Sequence, residues 1–213
     1  MFQGLIDTAQ NFYRELDRNN SKQWWADNRA VYDDDLKPQA TDMLASLSPR
    51  ISDLVDAPVT SKLFRPHRDV RFSKDKTPYK THLHMMWQIV DGQSRQSPVY
   101  FFGIGIDYVT VGTGIMAFDK SVLDDWRKFV DLDQMRVGEI TKALKDDGFA
   151  FREPDLKRVP PPYPSDHPLS ELLRMKGCVA SRDIGSPPRL DDAVISAMTQ
   201  ATPLTQLLLQ VAS

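Results

Sequence analysis

Apolar positions in the first third of the chain fall three and four residues apart. Phe2, Leu5, Ile6, Ala9, Phe12, Tyr13 and Leu16 share one face of a helix. Asn19-Asn20 ends that helix and Ser21 caps the next, whose inner face is Trp24 or Trp25, Asn28 and Tyr32. Asp33-Asp34-Asp35 ahead of Pro38 predicts a break or kink. Leu36, Ala40, Met43, Leu44 and Leu47 then resume the helical period.

Beyond residue 60 the period becomes two. Lys62 to Phe72 alternates, with Phe64, Val70 and Phe72 on one face and Arg65, His67, Asp69, Arg71 and Ser73 on the other. Pro66 places this strand at an edge or a bulge. Leu83–Val90, Val99–Ile106 and Val109–Met116 are rich in β-branched and aromatic residues and read as strands, the last two joined at Asp107-Tyr108. Residues 92–97 are a polar turn.

Helical spacing returns over Val122–Val130, Leu132–Leu144 and Leu190–Leu208, the last with a kink before Pro203. Between them lie a proline-rich connector from Pro154 to Pro168, a short helix to Lys176 capped by Ser165 or Asp166, and a short strand at Val179-Ala-Ser. The pattern predicts an α+β fold. Its mostly antiparallel sheet has about four to six strands, from residues ~60–116 and the later strand. Helices before it (~2–56) and after it (~119–212) complete one domain spanning residues 1–213.

A chain of 213 residues can bury a self-sufficient core. The single Cys178 forms no intrachain disulfide, which points to a reducing compartment. The N-terminus lacks a basic start and an apolar block, and no apolar run approaches bilayer length, so we expect a cytoplasmic protein with no membrane partner.

Charge changes the picture more. The formal net charge is -2, yet residues 62–84 hold seven Lys and Arg against two Asp, a local +5 within a body of -7. If the segment is a strand, Arg65, His67, Asp69 and Arg71 point to one side and Lys74 to Pro78 form a turn. Guanidinium, ammonium, hydroxyl and backbone N–H donors then converge, the set that phosphate or carboxylate needs. The blander reading is a solvated edge whose charges discourage aggregation. Candidate ligand-binding residues are Arg68, Arg71, Ser73, Lys74, Lys76, Thr77 and Lys80, with Lys157 and Arg158 from the connector. Asp69, Tyr79, His82 and His167 are the acid–base candidates. No cofactor is implied.

The stretch from Arg68 to His82, RDVRFSKDKTPYKTH, resembles the signature of the "domain of unknown function 2461" family of bacteria and fungi. Asn19 to Trp24 with Asn28 and Tyr32, Gly112-Thr-Gly114, Leu156-Lys-Arg and the run from Pro160 to Leu169 match in order along most of the chain. The resemblance implies a single domain and brings no established activity. It also leads us to expect an aromatic residue where this chain has Cys178.

Other chemistry is weaker. His82 and His84 share one strand face and, with His67, His167 or Asp69, offer zinc or iron ligands, but the surrounding Lys and Arg repel a cation, so we assign no metal. His167-Pro168 reads first as a helix start. Cys178 reads as core. Gly112-Thr-Gly114 follows a hairpin strand and lacks the strand-turn-helix setting of a dinucleotide loop.

Three functions compete. The first is binding or conversion of a small anionic ligand at a basic pocket built from residues 65–84. The second is nucleic-acid binding by the basic strand and loop, against which the pI near 6.1 argues. The third is an interaction module whose basic face meets an acidic partner, including a second copy of the chain.

Overall fold

The structure, a computed structural model, describes Phe2 and residues 4–213. Helix α1 (Leu5–Arg18) buries the predicted face, including Leu5, Ala9, Tyr13 and Leu16. Ser21 caps α2 (Lys22–Ala30), its Oγ accepting from the Trp24 N–H at 3.2 Å. Trp25, not Trp24, is the buried tryptophan of α2. The predicted break at Asp33–Asp35 is a widening instead. Val31–Leu36 forms a π turn in which the Lys37 N–H donates to the Tyr32 carbonyl. The helix continues directly as α3 (Lys37–Val55). The wider turn carries the chain past Pro38, which has no N–H to give.

Six strands form one antiparallel sheet: β1 (Val59–Leu63), β2 (Leu83–Ile89), β3 (Val99–Ile104), β4 (Val109–Ile115), β5 (Ala150–Phe151) and β6 (Cys178–Asp183). Their order is β1-β2-β3-β4-β6-β5. The fold is therefore α+β, as the sequence predicts. Alternation in β2 buries Leu83, Met85, Trp87 and Ile89, while His84, Met86 and Gln88 face the other way. Helices α3 and α7 (Leu190–Ala212) pack on the buried side. Polar atoms there are matched: Thr113 Oγ1 lies 2.7 Å from Thr205 Oγ1, and Trp87 Nε1 donates to Ser48 Oγ at 3.1 Å.

Helices α4 (Lys120–Leu132) and α5 (Gln134–Asp146) follow β4. The short α6 (Ser170–Leu173) starts later than predicted, without a side-chain cap from Ser165 or Asp166. There His167 Nδ1 accepts the Leu169 N–H at 3.0 Å, and a side-chain bond of this kind competes with helix formation. Helix α7 runs on through Pro203. Cys178 is fully buried against β4, and burial pushes its thiol up to about 12. Gly114 sits in β4 at φ +149°, where a Cβ would collide with the Cys178 carbonyl. A Cβ at Gly112 would likewise meet the Ala180 carbonyl, so both glycines mark a close approach of β4 and β6.

Candidate anion-binding cleft

The basic segment departs from its expected form. Strand β1 stops at Leu63, although the Phe64 N–H still reaches the His84 carbonyl at 2.9 Å. Pro66 then brings no donor for a ladder, and residues 64–82 leave the sheet as a long loop. Phe72, expected to share a strand face with Phe64 and Val70, is 96% exposed in the loop.

A narrow neck holds the loop. His67 and Tyr79 form an antiparallel bridge, the Arg68 N–H donates to the Pro78 carbonyl at 2.9 Å, and the Lys80 N–H donates to the Pro66 carbonyl at 2.8 Å. Asn20, just after α1, closes the neck from outside. Its Nδ2 donates to the Tyr79 carbonyl at 2.9 Å and its Oδ1 accepts the Tyr79 N–H at 3.1 Å. The Tyr79 ring stacks on Trp25 with centroids 4.4 Å apart and planes 13° apart.

Beyond the neck, the loop satisfies much of its own charge. Arg71 forks onto Asp69, with Nε 3.0 Å from Oδ1 and Nη2 2.6 Å from Oδ2. Those bonds hold the Asp69 carboxyl below its usual range. Arg68 binds Asp75 and Thr77. The Asp75 carboxyl accepts the Thr77 N–H and hydroxyl, both at 2.9 Å. Arg68 first, then Thr77, bring Asp75 down to about 2. Lys76 donates to the Val70 carbonyl at 2.9 Å. Ser73 is half-buried and Lys74 is exposed. Arg68 and Arg71 are therefore engaged inside the loop rather than gathered with Lys74 and Lys76 around one point.

Arg68, Asp75, Thr77, Tyr79, Lys80 and His82 line a small hollow of about 340 Å³ with Asp17 and Asn20. His82 stacks on His84 at 3.9 Å. The other candidates are elsewhere. Lys157 and Arg158 are exposed in the connector. His167 is buried 3.4 Å from Asp131 of α4, held by Leu169, and lines neither of the hollows beside the neck. Among the described residues, no three His, Cys, Asp or Glu side chains group as metal ligands.

A larger cleft, about 570 Å³, opens on the helix side of the neck. Trp25, Tyr32, Tyr79, Leu63, Phe64 and Pro66 give it an apolar lining. Lys22 and Arg29 come from α2, Lys37 from α3, and Arg65 and His67 from the start of the loop. Asp33 is its one carboxylate, and Arg29 takes it at 2.7 Å. Lys22, Lys37 and Arg65 have no ion-pair partner among the described residues. Burial, then the Asp33 carboxylate, raises the Tyr32 phenol.

Sequence reasoning set Arg65 and His67 in the candidate basic segment but did not set Lys22, Arg29, Tyr32, Asp33 and Lys37 beside them, where they line the same cleft. The signal was present: Lys22, Trp25, Ala26, Arg29, Tyr32 and Asp33 recur three and four apart, one face of a helix.

The family model described as Conserved hypothetical protein (DUF2461) matches residues 8–209. The chain belongs to the DUF2461 family. The match takes in the neck, the loop and every residue lining the cleft of this DUF2461 chain. No curated protein matches it.

Proposed function

We propose that the cleft between α2, α3 and the loop neck binds a small organic anion, one with an apolar body and a phosphate or carboxylate head. The observation that carries this reading is the charge of the lining. Lys22, Lys37 and Arg65 reach one cleft from three chain segments, and its single carboxylate is already held by Arg29. Like charges brought together in this way are relieved by a bound anion, and Arg65 and the lysines supply charge-assisted donors. The aromatic and aliphatic lining supplies contact area for the remainder of the ligand. The π turn adds support: such widenings recur at functional sites, and this one carries Tyr32 and Asp33 to the cleft.

The test is calorimetry and thermal shift with inorganic phosphate, a nucleoside monophosphate, an aromatic carboxylate and a single-stranded oligonucleotide. We expect at least one small anion to bind, and Arg65→Glu or Lys37→Glu to weaken it by about tenfold or more, as loss of a charge-assisted contact of about 1.5–3 kcal/mol requires. Absence of binding by every small anion, or affinity unchanged in both variants, would overturn the proposal. Binding of the oligonucleotide alone, steeply salt-dependent and lost in Phe72→Ser, would instead assign the exposed loop tip to nucleic acid.

A further inference from the structure

A second group of polar side chains lies on the sheet face turned away from α3 and α7. Phe64 and His84 are neighbours there, joined by the Phe64 N–H bond to the His84 carbonyl. Lys62, paired in register with Met86, follows on the same side. Lys62 Nζ lies 5.3 Å and Lys80 Nζ 5.4 Å from the centre of the Phe64 ring. Two ammonium groups thus lie against one aromatic ring, and neither has a carboxylate partner among the described residues. Beside Lys80, His82 and His84 stack at 3.9 Å with 28° between their planes. His84 Nε2 is 3.0 Å from the Tyr108 hydroxyl. The two imidazoles separate two hollows: His82 lines the one of about 340 Å³, and His84 lines an open one of about 440 Å³ with Tyr108 and Thr110.

Every element around the pair contributes charge that can be named. The loop contributes Lys80 and Arg65, and β1 contributes Lys62. The 340 Å³ hollow adds Arg68 and two carboxylates, Asp17 and Asp75, of which Asp75 is bound by Arg68. The β3–β4 turn adds Tyr108. From β6 come Arg182, which donates to the Asp147 carbonyl at 2.9 Å, and Asp183, which accepts the Gly185 N–H at 2.7 Å. Cations thus dominate the loop side of the pair.

Two stacked imidazoles this close do not both accept a proton beside unpaired ammonium groups. Burial and Lys80 lower His82, while burial, His82 and then Lys80 bring His84 to about 4. An arriving oxyanion reverses that balance. It neutralises the lysines and offers an acceptor to a protonated ring, so its binding draws a proton onto the pair.

We propose that Lys62, Lys80, His82 and His84 form a proton-coupled oxyanion site, distinct from the cleft, that takes a phosphate-class dianion and one proton together. His82 donates to the bound oxygen, and His84, hydrogen-bonded to Tyr108, fixes the tautomer and orientation of the pair.

Imidazole resonances followed by NMR against pH, with and without inorganic phosphate, test this on the full chain. We expect phosphate to raise the titration of His82 or His84 by about one unit or more, the size of a nearby opposite charge. Calorimetry in two buffers of different ionisation enthalpy should register uptake of about one proton per phosphate. Lys80→Gln should abolish the phosphate response. Lys62→Gln should weaken it and serves if the first variant does not fold. Lys22→Glu, which disables the cleft, should leave it intact. Unmoved imidazoles in saturating phosphate would sink the proposal. So would a response that survives both Lys80→Gln and Lys62→Gln, or one lost in Lys22→Glu alone. Failure of the cleft is read separately, from organic-anion binding in the Lys37 variant, because Arg65 also stands near Lys80.

Discussion

Single residues decide how the basic segment is used. Its richness in Lys and Arg is plain in the sequence, but the partners of those residues are not. Asp69 lies two positions from Arg71, and Asp75 seven from Arg68, so both carboxylates are in plain sight. What hides the pairing is the backbone: on an extended strand Asp69 and Arg71 would stand parallel on one face, whereas the loop folds the guanidinium back onto the carboxylate. Asn20 is the opposite case, a loop residue 59 positions from its partner, whose role emerges only when Tyr79 is set beside it. Asn20→Ala strands a backbone N–H and C=O next to the buried Tyr79 ring. We expect a loss of about 2 kcal/mol in urea denaturation with an unchanged m value. A change below about 0.5 kcal/mol would show that the neck holds without the clamp. His84 gives a pH signature. Its folded value, about 4, lies below the ordinary 6.5, so the unfolded chain binds the proton first. Stability from this group is complete above about pH 6.5 and is lost as pH falls toward 4. The full effect is on the order of 2 kcal/mol after allowing for partial exposure. Comparing His84→Gln with the parent isolates it from the carboxylates, and identical acid limbs would count against it.

At the scale of elements, periodicity served well wherever a face is buried. Helices α1 and α3 and strands β2 to β4 bury the positions that their spacing marks. It failed where alternation exists without a partner strand. Lys62 to Phe72 alternates as a strand should, but Pro66 interrupts the donors and no neighbour offers a continuous ladder. The two-residue β5 is too short to leave a pattern and exists only because β6 lies alongside. The sequence predicts an interruption at the π turn because Asp33–Asp35 and Pro38 are helix-start signals. A widened turn satisfies the same signals without ending the helix, and it gives Tyr32 and Asp33 their place in the cleft.

Across the whole molecule, the local +5 and the opposing -7 describe how charge is divided along the sequence. The fold adds the second half of the cleft. Cations of the loop neck meet Lys22, Arg29 and Lys37 of helices that precede the basic segment by about twenty-five to forty residues in sequence, a meeting no local pattern encodes. One buried cluster joins α1, α2, α3, the sheet and α7, so both sides of the loop belong to the same core.

The loop tip has a consequence for handling the protein. Phe72 stands in irregular chain at 96% exposure; the next most exposed large apolar residues, Leu132 and Met135, lie in helices, and Met116, in a bend after β4, is less exposed at 70%. Chymotrypsin needs an extended, yielding stretch, so its first scission should fall after Phe72, giving pieces 1–72 and 73–213 that migrate separately on a denaturing gel. Neck and core lie outside the severed tip, and the halves should elute together as one nicked, folded species. Early scission elsewhere, or halves that drift apart on a sizing column, would mean that the tip is less detached from the rest than its geometry implies.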